Sequence, residues 1–222
     1  MIGQYFGLAN GNWKLDGNAN DASGNGNNGT ASNVTWTTGR FGNCGSFNGS
    51  NSKIELPNSS SLKPTTFTVM AWYKGTQSTL GTIIENFYFY NSGAVYYGWF
   101  FGLNSGVARF VVAKGTGVAT YPHIDQVATL VSINDNKWHH VAATIDSSGI
   151  LKIYVDGALS GTKNWGYAIA YYSTQYPAIG VRLDSYGAPT EYLSGAVDEV
   201  VITGYMTDAQ IRRWYAWSTG KL

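Results

Sequence analysis

Charge is scarce in this sequence. Only 12% of its 222 residues are Asp, Glu, Lys or Arg, and the net charge is +1; an average soluble protein carries about 25% charged residues. Nucleic-acid binding calls for a basic patch or stripe, and the one basic cluster is Arg212-Arg213, so nucleic acid is excluded as a partner. Cysteine is nearly absent. Cys44 stands alone beside three histidines, which rules out an internal disulfide and a paired-cysteine zinc site. Cys44 reads as a small buried hydrophobe. No apolar run approaches the roughly 20 residues of a membrane span, so membrane insertion is not expected. The opening MIGQYFGLANG lacks the basic and apolar regions of a signal peptide, and no leader is visible.

What is present is apolar residue and turn residue. The apolar share is 44%, with 28 glycines, enough for a sizeable core in one domain spanning 1–222. The polar surface must be built from Asn, Ser, Thr, Gly and Tyr, a composition at home on secreted, virion or glycan-binding proteins. An extracellular or virion-surface location is therefore expected.

Strand signals dominate. TFTVMAWY (66–73) is apolar on both faces, which predicts a strand covered on both sides. WHHVAATID and ILKIYVDG, joined by Ser147-Ser148-Gly149, predict a hairpin. Asp156-Gly157 predicts a tight turn with positive φ. Further strands are expected at 82–86, 97–103, 108–113, 177–182 and 193–203. Short strands with recurring turns predict an all-β sandwich rather than βαβ units. One helix is predicted over 207–216: Thr207 and Gln210 form a capping box, and Ile211, Trp214 and Tyr215 make one apolar stripe.

Several segments, in order, resemble the laminin-G-like branch of the concanavalin A-like lectin/glucanase superfamily: DGNANDASGNGNNGT, FNGSNSKIELPNSSSL, FTVMAWYKG, WHHVAATIDSSGILKIYVDG, LSGAVDEVVI and MTDAQI. The resemblance covers nearly the whole chain. It implies a two-sheet antiparallel jelly-roll sandwich with one short C-terminal helix. It leaves function open, because such a fold carries binding, adhesion, hydrolysis and scaffolding alike. Trp72 and Trp138 read as core aromatics.

Catalysis is not expected. Retaining glycosidases need two carboxylates roughly 5–5.5 Å apart. In the glucanase branch they share one strand in a Glu-x-Asp-x-(x)-Glu pattern, which none of the four glutamates, Glu55, Glu85, Glu191 and Glu199, provides. Asp198 and Glu199 are adjacent, as are His139 and His140, and strand neighbours point to opposite faces. No nucleophile elbow, HExxH or phosphate-binding glycine loop occurs.

Binding is expected from aromatics. FYFY (87–90), WGYAIAYYSTQY (165–176) and LDSYGAPTEY (183–192) fall partly in loops. Tyr and Trp present an apolar body and a polar tip, suited to the C–H face and hydroxyls of a sugar. The expected carbohydrate site comprises Tyr88, Tyr90, Tyr171, Tyr172 and Tyr186, with Asn91 and Asp184 as polar contacts. The partners are then glycans or glycoconjugates. The alternative is a structural domain of a virion fibre, decoration layer or surface filament, whose aromatic loops meet neighbouring subunits.

The loop DGNANDASGNGNNG (16–29) begins like an EF-hand, but Asp21 stands where the glycine belongs and Asn27 where the bidentate glutamate belongs. The resemblance implies a structural calcium near the chain ends, with a carboxylate from the late strand carrying Asp198. One Ca²⁺ is expected, held by Asp16, Asn18, Asp21 and Asp198. A solvated loop without metal is the alternative.

Overall fold

The computed structural model describes residues 9–90, 95–115, 124–183 and 188–220, with the side chains of residues 89, 90 and 95 excepted. In chain order the first strands are β1 (Gly11–Trp13), β2 (Thr30–Ser32), β3 (Thr35–Thr38), β4 (Asn43–Asn48), β5 (Lys53–Glu55) and β6 (Phe67–Lys74). Then come β7 (Gly81–Tyr90), β8 (Val95–Asn104), β9 (Val107–Lys114), β10 (Ile124–Ala128), β11 (His139–Ile145) and β12 (Ile150–Val155). The last are β13 (Ala158–Asn164), β14 (Ala178–Ile179), β15 (Arg182–Leu183), β16 (Pro189–Thr190) and β17 (Ser194–Thr203), followed by helix α1 (Asp208–Ser218).

Two antiparallel sheets face each other. The first runs β13-β12-β11-β6-β17-β4-β3, with β1 also on β17; the second runs β10-β9-β8-β7-β14-β5-β2. Phe67, Val69, Ala71 and Tyr73 of β6 and Trp99, Phe101 and Phe110 of the opposite sheet fill the space between them. Alternation puts Met70 and Trp72 on the other side of β6, where Ile211 and Trp214 of α1 cover them. The double-sided pattern of 66–73 thus has a physical cause: one face meets the second sheet and the other meets the helix.

The turns follow their chemistry. Asp156 and Gly157 take φ of 51° and 77°, and Ser105 and Gly106 take 53° and 77°, as two-residue hairpins require. Thr207 caps α1 and the Gln210 side chain closes the capping box. One expected strand is broken: 177–182 supplies only β14 and the start of β15, interrupted at Gly180, whose φ is 81°.

His139 and His140 diverge as alternation predicts. His139 lies between Asp156 (Nδ1···Oδ2 2.9 Å) and Asp135 (Nε2···Oδ1 3.0 Å). His140 is fully buried beneath α1, its ring 4.6 Å from that of Trp214 and 5.5 Å from that of Trp72. Among the described residues neither ring nitrogen of His140 has a hydrogen-bond partner, and burial drives its pKa down to about 3. Cys44 is likewise buried, its thiol pushed up to about 11 chiefly by burial and then by the negative Asp198.

Candidate functional site

The opening loop is ordered by its own side chains. Both Asp21 oxygens are occupied: Oδ1 accepts from the amides of Asn12 and Ser23, and Oδ2 from the Ser23 hydroxyl and the Asn27 amide, all at 2.8–2.9 Å. Asn27 donates to Asn10 O and Ser61 Oγ, and its carbonyl accepts from the Trp13 indole. Ala19 enters the main core. Asp21, expected as a calcium ligand, is therefore the hub of a hydrogen-bonded loop, with its acceptor capacity used. Asn18 is exposed, and its Oδ1 accepts from the Asn20 amide. Among the described residues, the hydrogen bonds of both stay within the opening loop and the strand before it.

Asp16 and Asp198 do converge. The far side of β17 is shared, with β4 pairing along Ser194–Val197 and β1 along Val200–Ile202. A bulge lies at the hand-over between Asp198 and Val201, with Glu199 at φ 49°. The turn before β4 and the chain leaving β1 meet there. The Phe41 amide donates to Asp198 Oδ2 (2.9 Å) and the Asn43 amide to Asp16 Oδ1 (2.7 Å). Glycine is required in this turn: a Cβ on Gly39 would lie 2.6 Å from Asp198 Oδ2, and one on Gly42 would overlap Asp16 Oδ1.

Asp198 is fully buried, and its Oδ1 has no hydrogen-bond partner among the described residues. Burial raises its pKa to about 6 against the pull of nearby backbone amides, and Asp16 adds a smaller push. Glu199 is raised to about 7 by burial, then by Asp198 and Asp16, with Lys14 opposing. Asp198 and Glu199 sit at this bulge, and the Asp198 charge adds to the burial that raises Glu199. The arrangement fits a cation in one respect, a buried carboxylate oxygen lacking a positive partner. Among the described residues, no group of three or more His, Cys, Asp and Glu side chains gathers around one point. Any metal here would rely on backbone oxygens as well as side chains.

The aromatic site is partly assembled. Tyr88 of β7 stands directly opposite Tyr97 of β8, which stands opposite Lys114 of β9, so the three side chains share one face. Segment 165–172 crosses this end of the sheet, the Ala170 carbonyl accepting from the Gly98 amide (2.6 Å) and its amide donating to Ala113 O (3.1 Å). The crossing stacks Tyr172 on Tyr88, with centroids 3.8 Å apart and planes at 15°, and sets it 5.5 Å from Tyr97. Lys114 Nζ lies 3.8 Å from the Tyr167 ring centroid. Tyr88, Tyr97 and Tyr172 are half-buried and form a small platform at the mouth of the sandwich.

Gly98 makes the platform possible. Its φ is 82°, and a Cβ there would overlap the Asn86 carbonyl of the neighbouring strand. Tyr171 corrects the sequence expectation: it packs against the main core and its hydroxyl donates to Pro64 O at 2.5 Å. Tyr172 stacks on Tyr88 while its neighbour Tyr171 is consumed inside. Asn91, Asp184 and Tyr186 lie outside the described residues, as does the Tyr90 side chain. Tyr97, absent from the expected set, joins the platform through its register with Tyr88.

A family model described as the concanavalin A-like lectin/glucanases superfamily matches residues 48–212. No curated protein matches the chain in sequence. Among solved structures, the binding domain of Paraclostridial Mosquitocidal Protein 1 superposes with a TM-score of 0.74 at 14% identity, covering 96% of this chain and 52% of that one. Domain 4 of AbnA, a GH43 extracellular arabinanase from Geobacillus stearothermophilus solved with arabinotriose, gives 0.69 at 19% identity, covering 93% and 97%. The botulinum neurotoxin serotype D ligand-binding domain, solved with N-acetylneuraminic acid, gives 0.70 at 16%, covering 96% and 51%. The chain thus spans about half the length of the toxin binding domains. Identities this low carry the fold alone.

Proposed function

Because the chain belongs to the concanavalin A-like lectin/glucanase superfamily, we propose that it is a non-catalytic carbohydrate-binding domain acting outside cells or on a virion surface. Among the described residues no helix is long and apolar enough to cross a membrane. The observation that carries the reading is the half-buried Tyr88–Tyr97–Tyr172 platform, held by the stacking of Tyr172 on Tyr88. Rings so placed present C–H-binding surface with phenol hydroxyls alongside. The complexes of the neighbours with arabinotriose and N-acetylneuraminic acid supply the first two ligands to test. A shallow wet site holds them weakly, with Kd in the millimolar to micromolar range, roughly −4 to −8 kcal/mol. In titrations against a diverse oligosaccharide panel, Tyr172→Ala and Tyr88→Ala are expected to weaken binding about tenfold each, a loss of ~1.4 kcal/mol. Unchanged affinity in both variants would remove the platform from the site.

A calcium ion held by Asp16 and Asp198 belongs to the same proposal. Backbone oxygens of the adjoining turn would complete the six to eight oxygens calcium takes. Its support is the buried, unpartnered Asp198 Oδ1 beside a second carboxylate. The ion would supply positive charge that ties β17 to the chain leaving β1; it has no part in chemistry. Asp21 and Asn18 are not assigned to it. Without metal, the raised pKa of Asp198 means that this group's contribution to stability is full below about pH 4 and lost as pH rises through about 6. Calcium at 100 times its Kd restores about 2.7 kcal/mol. At pH 7.5 the Tm should fall with EDTA and recover with calcium but not magnesium, and the response should fade at pH 5. Asp198→Asn is expected to abolish it, and a melt indifferent to EDTA would leave this corner metal-free.

The alternative, assembly with neighbouring subunits of a virion or surface filament, is favoured by the exposed Leu130, Val131 and Leu159. The Leu130 amide donates to Ser160 Oγ, which sets Leu130 beside β13 and Leu159. Mass in solution separates the two: a monomer that binds sugars supports the first reading, a glycan-blind oligomer the second.

A further inference from the structure

Helix α1 covers only part of the outer face of the first sheet. Beyond Trp72 the same face continues through Lys74 of β6, Ala196 of β17, Ser46 of β4 and Thr35 of β3. Register fixes this row, since Lys74 opposes Ala196, Ala196 opposes Ser46 and Ser46 opposes Thr35. The uncovered face is the floor of an open cleft of about 350 Å³, within the roughly 300–1,000 Å³ typical of small-molecule sites. Trp138, half-buried against the rings beneath α1, forms one wall, not the fully buried core residue its sequence context suggests. Thr37, Ser46, Asn136 and Ser194 line the rest.

The cleft is preformed. Asn136 N donates to Gly75 O, the Tyr73 hydroxyl to Ser194 O, and the Ser194 amide to Gln77 Oε1. A side chain at Gly75 would collide with the Tyr73 hydroxyl oxygen, and one at Gly195, whose φ is 142°, would lie 2.7 Å from Lys74 O. Among the described residues, Lys74 is the only cation on its lining. No carboxylate forms an ion pair with it among the described residues.

We infer that this cleft is a second binding site, selective for a sugar residue that bears a carboxylate. The inference rests on the glycan-binding reading and assigns it a separate site and a ligand class. A single ammonium without an ion pair among the described residues supplies the charge-assisted contact for a carboxylate. The hydroxyls of Thr37, Ser46 and Ser194 and the amide of Asn136 match a ring's hydroxyls. Trp138 offers an apolar wall for its C–H face. A bare anion site would not need the tryptophan, and a neutral-sugar site would not need the lysine.

The probes are methyl β-D-glucuronide, methyl β-D-glucoside and inorganic phosphate, titrated into the intact chain by calorimetry or ligand-observed NMR. The glucuronide is expected to bind roughly tenfold tighter than the glucoside, the preference of one charged hydrogen bond, and the preference should shrink with added salt. Lys74→Gln should erase the preference, whereas Lys53→Gln should leave it intact. Thr37→Val, at an exposed strand position where valine folds readily, should weaken both sugars a few-fold.

An unchanged preference in Lys74→Gln overturns the inference, as does phosphate binding as tightly as the glucuronide. If neither glycoside binds while the oligosaccharide panel still titrates, the cleft inference fails and the glycan-binding reading stands. If nothing in the panel binds either, both fall.

Discussion

Gly98→Ala is expected to cost about 3 kcal/mol or more, from an alanine forced to positive φ and from overlap with a neighbouring backbone. The glycine sits at φ 82° directly against Asn86 O, and its amide holds Ala170 O. Three strands and the crossing segment therefore shift together when a methyl group is added. For a domain of this size the melting temperature should fall by about 6–12 °C. Because the Ala170 contact positions Tyr172 over Tyr88, whatever the platform binds should be lost even at temperatures where the variant stays folded. A melting temperature within about 2 °C of wild type would show that the strand relaxes without strain.

The second large effect concerns His140. Its ring is buried among Trp72, Trp214 and Tyr215 with both nitrogens unbonded, so the folded protein rejects a proton that the unfolded chain accepts. The folded pKa of about 3 lies below the unfolded value of about 6.5. Unfolding thus takes up a proton between those pH values; the contribution to stability is full above about pH 6.5 and is lost as pH falls. Between pH 7 and pH 5 the loss amounts to about 2 kcal/mol. His140→Phe keeps a flat ring in the same space and does not titrate. Asp198, Glu199 and the fully buried Glu85, all raised in pKa chiefly by burial, act in the opposite direction. Urea midpoints of variant and wild type at pH 7 and pH 5 isolate the histidine. The variant should gain about 2 kcal/mol on wild type at the lower pH, and parallel pH slopes would place the His140 ring in contact with water.

Most of the fold was legible because its cues are local. Alternation placed the long strands, Asp156-Gly157 marked a hairpin, and Thr207 with Gln210 marked the helix start. The site was legible only where one residue's environment depends on near neighbours. Counting oxygens assigned Asp21 to calcium, but three of its four donors are backbone amides, and a loop's amides leave no trace in side-chain chemistry. Asp16 and Asp198, 182 positions apart, meet because β1 and β4 share the edge of β17; family resemblance, not composition, pointed to Asp198. The bulge at Glu199 is a backbone event with no residue signature, since the left-handed residue there is a glutamate. Tyr171 and Tyr172 are chain neighbours of identical chemistry, and only the path of the crossing segment separates them. The cleft around Lys74 draws its walls from five separated segments, and no stretch of sequence announces it.

The lone thiol has a practical consequence. Cys44 lies on β4, wholly shielded, with its proton held to about pH 11, and thiol reagents attack the thiolate. In the native protein it is out of reach twice over, by access and by ionisation. Alkylation therefore proceeds only through openings that detach β4 from β17 and β3, and its rate becomes a clock for that event. The strand it reports on is the one whose leading turn embraces Asp16 and Asp198. Loading that corner with calcium, or emptying it, would be read as a change in how long the chain keeps its single sulfur hidden.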